Sequence, residues 1–321
     1  MHTRRKAILS GLAVLAAPAI SQTFPARPVR IIVPFAAGGT ADHFVRVLAV
    51  ALEKRWGQAP VVDARPGGGT VIGTTAAAKA PPDGHTLLMV ASSFVIHPKL
   101  HKNLSYDVIR SFVPIAVLAE SPQVLVAGPA TTSKTIAEWL KDVRQRGSAA
   151  SIGSSGPASG QHVAIEMLKS AAQIQPTYVP YGGGSAALTA VLGGHIDAML
   201  TNYSEIGGHV EAGKLRALAV FSPHRLTQLK DVPTVAEAGY PDVDAMAWFG
   251  VVAPAGTPTA VVAKLADDFA VAMQDPVVKA SLPKMGLRPA FQGPTQAAVY
   301  ITGKHDQFSR VIDQSGIKLT P

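Results

Sequence analysis

Cysteine is absent from all 321 residues, which excludes disulfides, thiol catalysis, cysteine-ligated metal and a lipid anchor on cysteine. Aromatic residues make up only 6% of the chain and charged residues only 16%. No block of lysine and arginine interleaved with aromatics is offered to a nucleic acid. Long apolar runs are also missing, because the stretch Ala7 to Ala17 falls well short of the roughly 20 residues that a spanning helix needs. What the chain does have is 47% hydrophobic residues, rich in alanine, glycine and valine. That is enough for a large packed core in two lobes or one extended α/β unit.

The N-terminus has the layout of a secretion leader over residues 1–19. His2 to Lys6 is basic, Ala7 to Ala17 is apolar and short, and Ala17-Pro18-Ala19 supplies a small-x-small cleavage site. Arg4-Arg5 is a twin arginine, but Ala7 stands where an aromatic is usual, so Tat and Sec export both remain open. Losing the leader's Arg4, Arg5 and Lys6 lowers the formal charge from +8 to about +5. The remaining mild positive field suits the collection of anionic small molecules. A soluble periplasmic protein is expected.

Beyond the leader, short apolar runs alternate with helix-period segments. Val29–Val33, Val61–Ala64 and His85–Ala91 read as strands. Phe44, Val47, Leu48, Ala51 and Leu52 form one helical face between the first two, and Val71 to Lys79 reads as a second helix. A second series has strands at Val124–Ala127, Ala149–Gly153, Thr177–Pro180, Ile196–Leu200 and Leu215–Phe221, with helices over Ile136–Arg146, Gln161–Lys169 and up to Leu192. Trp248–Ala253, a helix opened by Pro254 to Pro258, and a last helix from Thr295 to about Asp313 complete the chain. This alternation predicts parallel sheets covered by helices. Ligands then belong beyond the C-terminal ends of the strands, where Gly38-Gly39 and Ser92-Ser93 fall.

The run from Val29 to Asp42 carries the clearest chemical signal. A strand ends at Pro34, and Gly38-Gly39 opens a helix whose first N–H groups and dipole favour an anion. The same glycines serve equally as a plain turn. Asp42 in the first helical turn suits capping or dipole stabilisation, with its carboxylate turned away from an anion to brace the loop.

Other motifs carry less. Gly208 to Lys214 resembles a phosphate loop, but Leu215 replaces the Ser/Thr that binds magnesium, and the order of elements is wrong. Gly153-Ser154-Ser155-Gly156-Pro157-Ala158-Ser159-Gly160 lies close to His162, yet no window gives G-x-S-x-G. A periplasmic hydrolase of carboxylate esters or amides using Ser155 or Ser159 with His162 is the alternative to pure binding. His97 and His101 are four apart, with Pro98 as a helix start between them, but no third ligand completes a metal site. No metal, no cofactor and no nucleic-acid partner is expected.

Several segments together resemble one family. They are Phe24-Pro25-Ala26-Arg27-Pro28, Pro34 to Asp42, Arg65-Pro66-Gly67-Gly68-Gly69, Pro82-Asp83-Gly84, Ile96-His97-Pro98, Ser154-Ser155-Gly156 with His162, and Val179 to Gly183. Ala212 to Ala219, Val232 to Gly239 and Trp248 to Pro258 extend the match, which covers about residues 24 to 318 in order. The chain resembles extracytoplasmic solute receptors of tripartite tricarboxylate transporters, the Bug or TctC-like family. The resemblance implies an α/β, two-lobe periplasmic-binding-protein fold of type II-like form. Each lobe would be a central sheet flanked by helices, with the ligand cleft between lobes. It implies lobe 1 over 24–124 and 248–321 and lobe 2 over 125–247. It further implies a monomer that binds a small organic carboxylate, performs no catalysis, and hands the ligand to membrane components of such a transporter or to a sensor.

Carried over residue by residue, the ligand-binding positions are Phe35, Ala37, Gly38, Gly39, Thr40 and Asp42 on one side. Ser155, Gly156, Ser159, His162, Tyr181 and Gly183 face them, with Ser92, Ser93 and Asn202 lining the cleft. The chain departs from the family at Gly67-Gly68-Gly69-Thr70-Val71, where an alanine and an asparagine are more usual. It departs again at His85, in place of tyrosine, and at Ala190, in place of aspartate.

Overall fold

A computed structural model describes residues 24–101, 103–157, 159–243 and 246–315. The expected leader, residues 1–19, lies outside them. In chain order the elements are β1 (Arg30–Val33), α1 (Thr40–Trp56), β2 (Val61–Ala64), α2 (Val71–Ala78), β3 (Thr86–Ala91) and α3 (Ser92–Leu100). Next come β4 (Phe112–Ser121), β5 (Gln123–Ala127), α4 (Ile136–Arg146), β6 (Ser151–Ser154), α5 (Gly160–Ala172), β7 (Thr177–Pro180) and α6 (Gly184–Leu192). The last are β8 (Ala198–Asn202), α7 (Tyr203–Glu211), β9 (Arg216–Phe221), β10 (Ala247–Pro254), α8 (Thr259–Ala272), α9 (Pro276–Ser281), β11 (Arg288–Gln292) and α10 (Pro294–Ser315).

Two sheets organise these elements. One has the order β11-β4-β10-β3-β1-β2 and the other β7-β6-β8-β5-β9. Neither is purely parallel, as the alternation had implied. β10 runs antiparallel to both β3 and β4, and β5 runs antiparallel to both β8 and β9. The chain changes sheets at Ser121-Pro122-Gln123, where β4 runs directly into β5, and returns at Ala247. A strand that leaves one sheet and enters another without a crossover helix cannot keep the βαβ direction in both.

Alternate residues of each strand feed opposite cores. In the first sheet, Ile31, Val33, Leu87 and Met89 pack on α1 and α8, while Ile32, Leu88 and Val90 pack with α3 and α10. In the second, Leu125, Ile152 and Leu200 meet α4 and α5, whereas Val124, Val126 and Met199 meet α6 and α7. Strands buried on both faces explain why they read as unbroken apolar runs. Val163 and Met167 of α5 reach into the α10 core, joining the two halves. Ala190 is buried in the α6 core, a place where an aspartate would need a partner of its own.

Helix starts follow local chemistry. Thr135 caps α4 by accepting the Glu138 N–H at 3.1 Å, and Glu138 reaches back to the Lys134 N–H at 2.6 Å. Pro98 lies inside α3 near its end and does not open a helix, so His97 occupies the last turn. The Gly208–Lys214 stretch runs out of α7 towards β9, with helix before strand, the reverse of a phosphate loop.

Candidate functional site

The C-terminal ends of β1, β3 and β4 and the start of β10 share one rim of the first sheet. The ends of β6, β7, β8 and β9 and the start of β5 share one rim of the second. Because β4 passes into β5 through Pro122 alone, these two rims face each other. Two contacts bridge them. Thr40 Oγ1 at the start of α1 lies 2.8 Å from Ser204 Oγ at the start of α7. Gly160, the first residue of α5, abuts Ser92, the first residue of α3. A Cβ on Gly160 would stand 3.0 Å from Ser92 Cβ and 3.4 Å from Gln123 Nε2.

Most of these helix starts are left open. α1, α3, α6 and α7 have no side-chain cap. In α5 the Ser159 hydroxyl takes the His162 N–H at 3.1 Å and leaves those of Gly160 and Gln161. N–H groups in a first helical turn have no intrahelical acceptor. They therefore point outward from Thr40 to Asp42 and from Gly160 to Gln161. The side chains beside them, Thr40, Ser92, Ser93, Gln123, Asn202 and Ser204, are all uncharged.

The loop before α1 is braced internally. The Gly38 N–H donates to Asp42 Oδ2 at 2.9 Å, and Arg46 Nε donates to the same oxygen at 2.9 Å. The Gly39 N–H donates to the Ala36 carbonyl at 3.3 Å. Burial pushes the Asp42 carboxyl up, but its bonds to Arg46 and Gly38 outweigh this and hold it below the usual value. Donors towards the cleft therefore come from the helix itself, one to three residues beyond the glycines. Ala37 is exposed, and the Phe35 ring packs on the core of its own sheet.

In the second sheet, Ser155 Oγ donates to Gln161 Oε1 at 3.1 Å, and Ser159 Oγ donates to the Gly156 carbonyl at 2.8 Å. Each hydroxyl has one proton, and both protons are committed away from the His162 imidazole. That ring instead stacks on Tyr178 at 4.0 Å and 2°. Tyr178 Oη in turn lies 2.8 Å from Ser154 Oγ and donates to the Gly156 carbonyl at 2.9 Å. This polar layer fixes the loop that ends in Gly160. Tyr181 packs against the core of its own sheet, and Gly183 precedes α6 with φ of 150°.

Gln123 and Ser121 escaped the sequence reading. Gln123 is fully buried, and neither heteroatom of its amide has a partner among the described residues. The same holds for the hydroxyls of Ser92, Ser93 and Ser121 and for Asn202 Oδ1. Buried polar atoms are ordinarily paired, so these atoms have hydrogen-bonding capacity to spare for water or a ligand. No motif announces them. The only sequence signal is a glutamine opening an otherwise apolar strand.

The glycine loop before α2 has positive φ at Gly67, Gly68 and Gly69 (122°, 56° and 62°), and Thr70 follows at 96°. It lies against His97, whose ring would be 2.4 Å from a Cβ on Gly69. His97 stacks on His101 at 4.8 Å. No group of three or more His, Asp or Glu residues able to hold a metal occurs among the described residues.

His97 and His162 are both lowered to about 4, chiefly by burial, with further lowering from His101 and from Lys169 respectively. Both are neutral at neutral pH. Because the unfolded chain takes up those protons near pH 6.5 and the folded protein does not, stability falls as pH drops from about 6.5 towards 4. Each site is expected to contribute up to about 3 kcal/mol of loss. Urea unfolding at pH 7.0 and pH 4.5 measures this, and His97→Gln should remove a large part of the difference.

Two depressions elsewhere, one lined by Phe94, Val108 and Ile301 and one by Pro98, Tyr106 and His305, contain none of the expected site residues.

Comparison with known proteins shows the family of the chain. The family model "Tripartite tricarboxylate transporter family receptor" (TctC) matches residues 44–317. BugT of Bordetella pertussis is 33% identical over 314 residues, covering 97% of this chain and 96% of that protein. Among solved structures, the periplasmic binding protein BugD is 30% identical with a TM-score of 0.84, covering 92% of this chain and 99% of that one. R. palustris Rpa4515, solved with adipate, is 30% identical with a TM-score of 0.86 over the same shares. MatC (Rpa3494) of Rhodopseudomonas palustris, solved with malate, is 28% identical with a TM-score of 0.80, covering 90% of this chain and all of that one.

Proposed function

This chain belongs to the tripartite tricarboxylate transporter receptor family, a family of solute-binding receptors, and on that premise we propose how it works. It closes two lobes, residues 24–124 with 248–321 and residues 125–247, on a small organic carboxylate. It presents that ligand to the membrane components of a tripartite tricarboxylate-type transporter. It acts in the periplasm as a monomer, without catalysis and without a cofactor.

The observation that carries this reading is the meeting, across the two rims, of helix starts that keep open N–H groups. α1 and α7 meet through Thr40 and Ser204, and α3 and α5 meet through Ser92 and Gly160. Helix N-termini favour an anion through both the free N–H groups and the dipole. Uncharged hydroxyls around them suit a carboxylate held by dipoles without a lysine or arginine. Thr40, Ser92, Ser93 and Asn202 are the contacts we assign from the expected set, and Ser159 caps α5 and braces its loop. Gly38, Gly39 and Asp42 shape the loop that presents α1, and Phe35, Ala37, Ser155, Gly156, His162, Tyr181 and Gly183 shape the walls. The ligands of the relatives, malate and adipate, give the size range to begin from.

A thermal-shift screen of organic acids, paired with product analysis, tests the reading. A ligand that binds only the folded protein raises its apparent stability, by about 2.7 kcal/mol at a hundred times Kd. Stabilisation by at least one acid with no turnover is the expected result. Ester or amide cleavage that is lost in Ser155→Ala or Ser159→Ala would overturn it.

A further inference from the structure

Gln123 and Asn202 stand directly opposite each other in the antiparallel pairing of β5 with β8. Their side chains thus leave the same face of the second sheet, the face that carries α5. Neighbours so placed could bond each other, yet both amides retain unpaired atoms among the described residues. These are Gln123 Nε2, Gln123 Oε1 and Asn202 Oδ1, with Ser92 Oγ beside them. Gln123 Nε2 lies 3.4 Å from the Cβ position of Gly160, so the amide is aimed at the α5 start. Exposure is 0% for Gln123, 4% for Ser92 and 8% for Asn202. A ligand that enters the cleft and displaces any water there must answer their hydrogen-bonding demand.

That demand is for a donor and an acceptor together. A carboxylate only accepts and a methylene does neither, whereas a hydroxyl does both. A hydroxyl also fits whichever way the Gln123 amide is turned. An ammonium group would supply donors, but it would sit buried at the positive ends of α3 and α5. The acid nearest the first rim, Asp42, is already taken by Arg46. Glu205, beside Ser204, bonds Thr201 and is itself pushed towards its neutral form by burial.

Resting on the receptor reading above, we propose that the ligand is a hydroxycarboxylate, with Gln123, supported by Ser92 and Asn202, as the reader of its hydroxyl group. The helix starts hold the carboxylate and are indifferent to which acid bears it. Gln123 makes the choice, because an acid lacking the hydroxyl leaves a buried amide unpaired.

Titration calorimetry on matched acids that differ at one carbon tests this. The sets are propionate, lactate and alanine; succinate, malate and aspartate; and tricarballylate and citrate. Within the set of the right length, the hydroxy acid should bind about ten- to a hundredfold tighter than the unsubstituted acid, and tighter than the amino acid. Gln123→Met should bring the hydroxy and unsubstituted acids within about threefold of each other. Acids that bind with no hydroxyl preference, or with the amino acid preferred, overturn the proposal and leave the receptor reading standing. A hydroxyl preference undiminished in a folded Gln123→Met overturns the role of Gln123. Where that variant does not fold, the wild-type ratios decide alone. If no acid in any set binds while another organic acid does, this inference fails and the receptor reading stands; if no organic acid in the wider screen binds, the receptor reading fails too.

Discussion

Gly160→Val is expected to weaken carboxylate binding by about a hundredfold. Gly160 opens α5 where that helix meets α3 of the opposite rim. A Cβ there would lie 3.0 Å from Ser92 Cβ, 3.2 Å from Ser92 Oγ and 3.4 Å from Gln123 Nε2. A single methyl group asks its neighbours to give by a few tenths of an ångström, and valine adds two γ-carbons beyond it. Such overpacking costs about 3 kcal/mol, which is about a hundredfold in affinity. The clash falls at the start of α5 itself, so it displaces the N–H groups that would meet the ligand. Gly160→Ala should show a smaller loss of the same sign. Calorimetry with the tightest-binding acid, together with thermal melts of both variants, measures this. Unchanged affinity in Gly160→Val would mean that the rims need not meet around the ligand.

Asp268→Ala should act in the opposite way, costing about 3–5 kcal/mol of stability with little effect on affinity. The carboxylate in α8 is completely buried. It accepts from Arg55 Nε at 2.7 Å, Trp56 Nε1 at 2.8 Å and Lys264 Nζ at 2.7 Å. These bonds pin α8 to the last turn of α1. Alanine would leave the indole N–H buried without an acceptor and the two cations without their counter-charge. Burial pushes the Asp268 carboxyl up, but the bonds from Lys264, Trp56 and Arg55 prevail and hold it below its ordinary value. Its stabilisation is therefore fully present above the unfolded carboxylate value, near pH 4, and is lost as pH falls through the lower folded one. α1 has 17 residues, which puts this network about 25 Å from the cleft end of the helix. A drop in melting temperature of about 10 °C with an unaltered Kd is expected. A variant that keeps its stability would show that the triad repays no more than its own desolvation.

Much of the fold was legible because its signals are local. Val61–Ala64, Thr177–Pro180 and Ile136–Arg146 have the residue limits expected of them, set by apolar runs between turn residues and by the Thr135 cap. The strands that escaped notice contain proline. β4 carries Pro114 and β11 carries Pro289, and a proline within an apolar run argues against a central strand. β4 is nonetheless central, between β11 and β10. It tolerates Pro114 where its register with β10 shifts, between Val251 and Val252. Strand direction was not legible either, since the β4-to-β5 passage that reverses it is a tertiary event.

The features of the candidate site were half legible. Glycine and serine before a helix advertise open N–H groups, and the rims carry them at Thr40 and Gly160. The direction in which each glycine N–H points was not, because Gly38 is claimed by Asp42 four residues later. Gln123 left no trace, because its meaning lies entirely in its burial and in the absence of a partner among the described residues.

A crystal structure grown with the tightest-binding acid tests the central claim most directly. The carboxylate oxygens should lie about 3 Å from N–H groups at the starts of α1 and α5, between the two rims and with no lysine or arginine side chain in contact. A carboxylate gripped by an arginine or lysine, or an acid bound outside the space between Thr40 and Gly160, would contradict it.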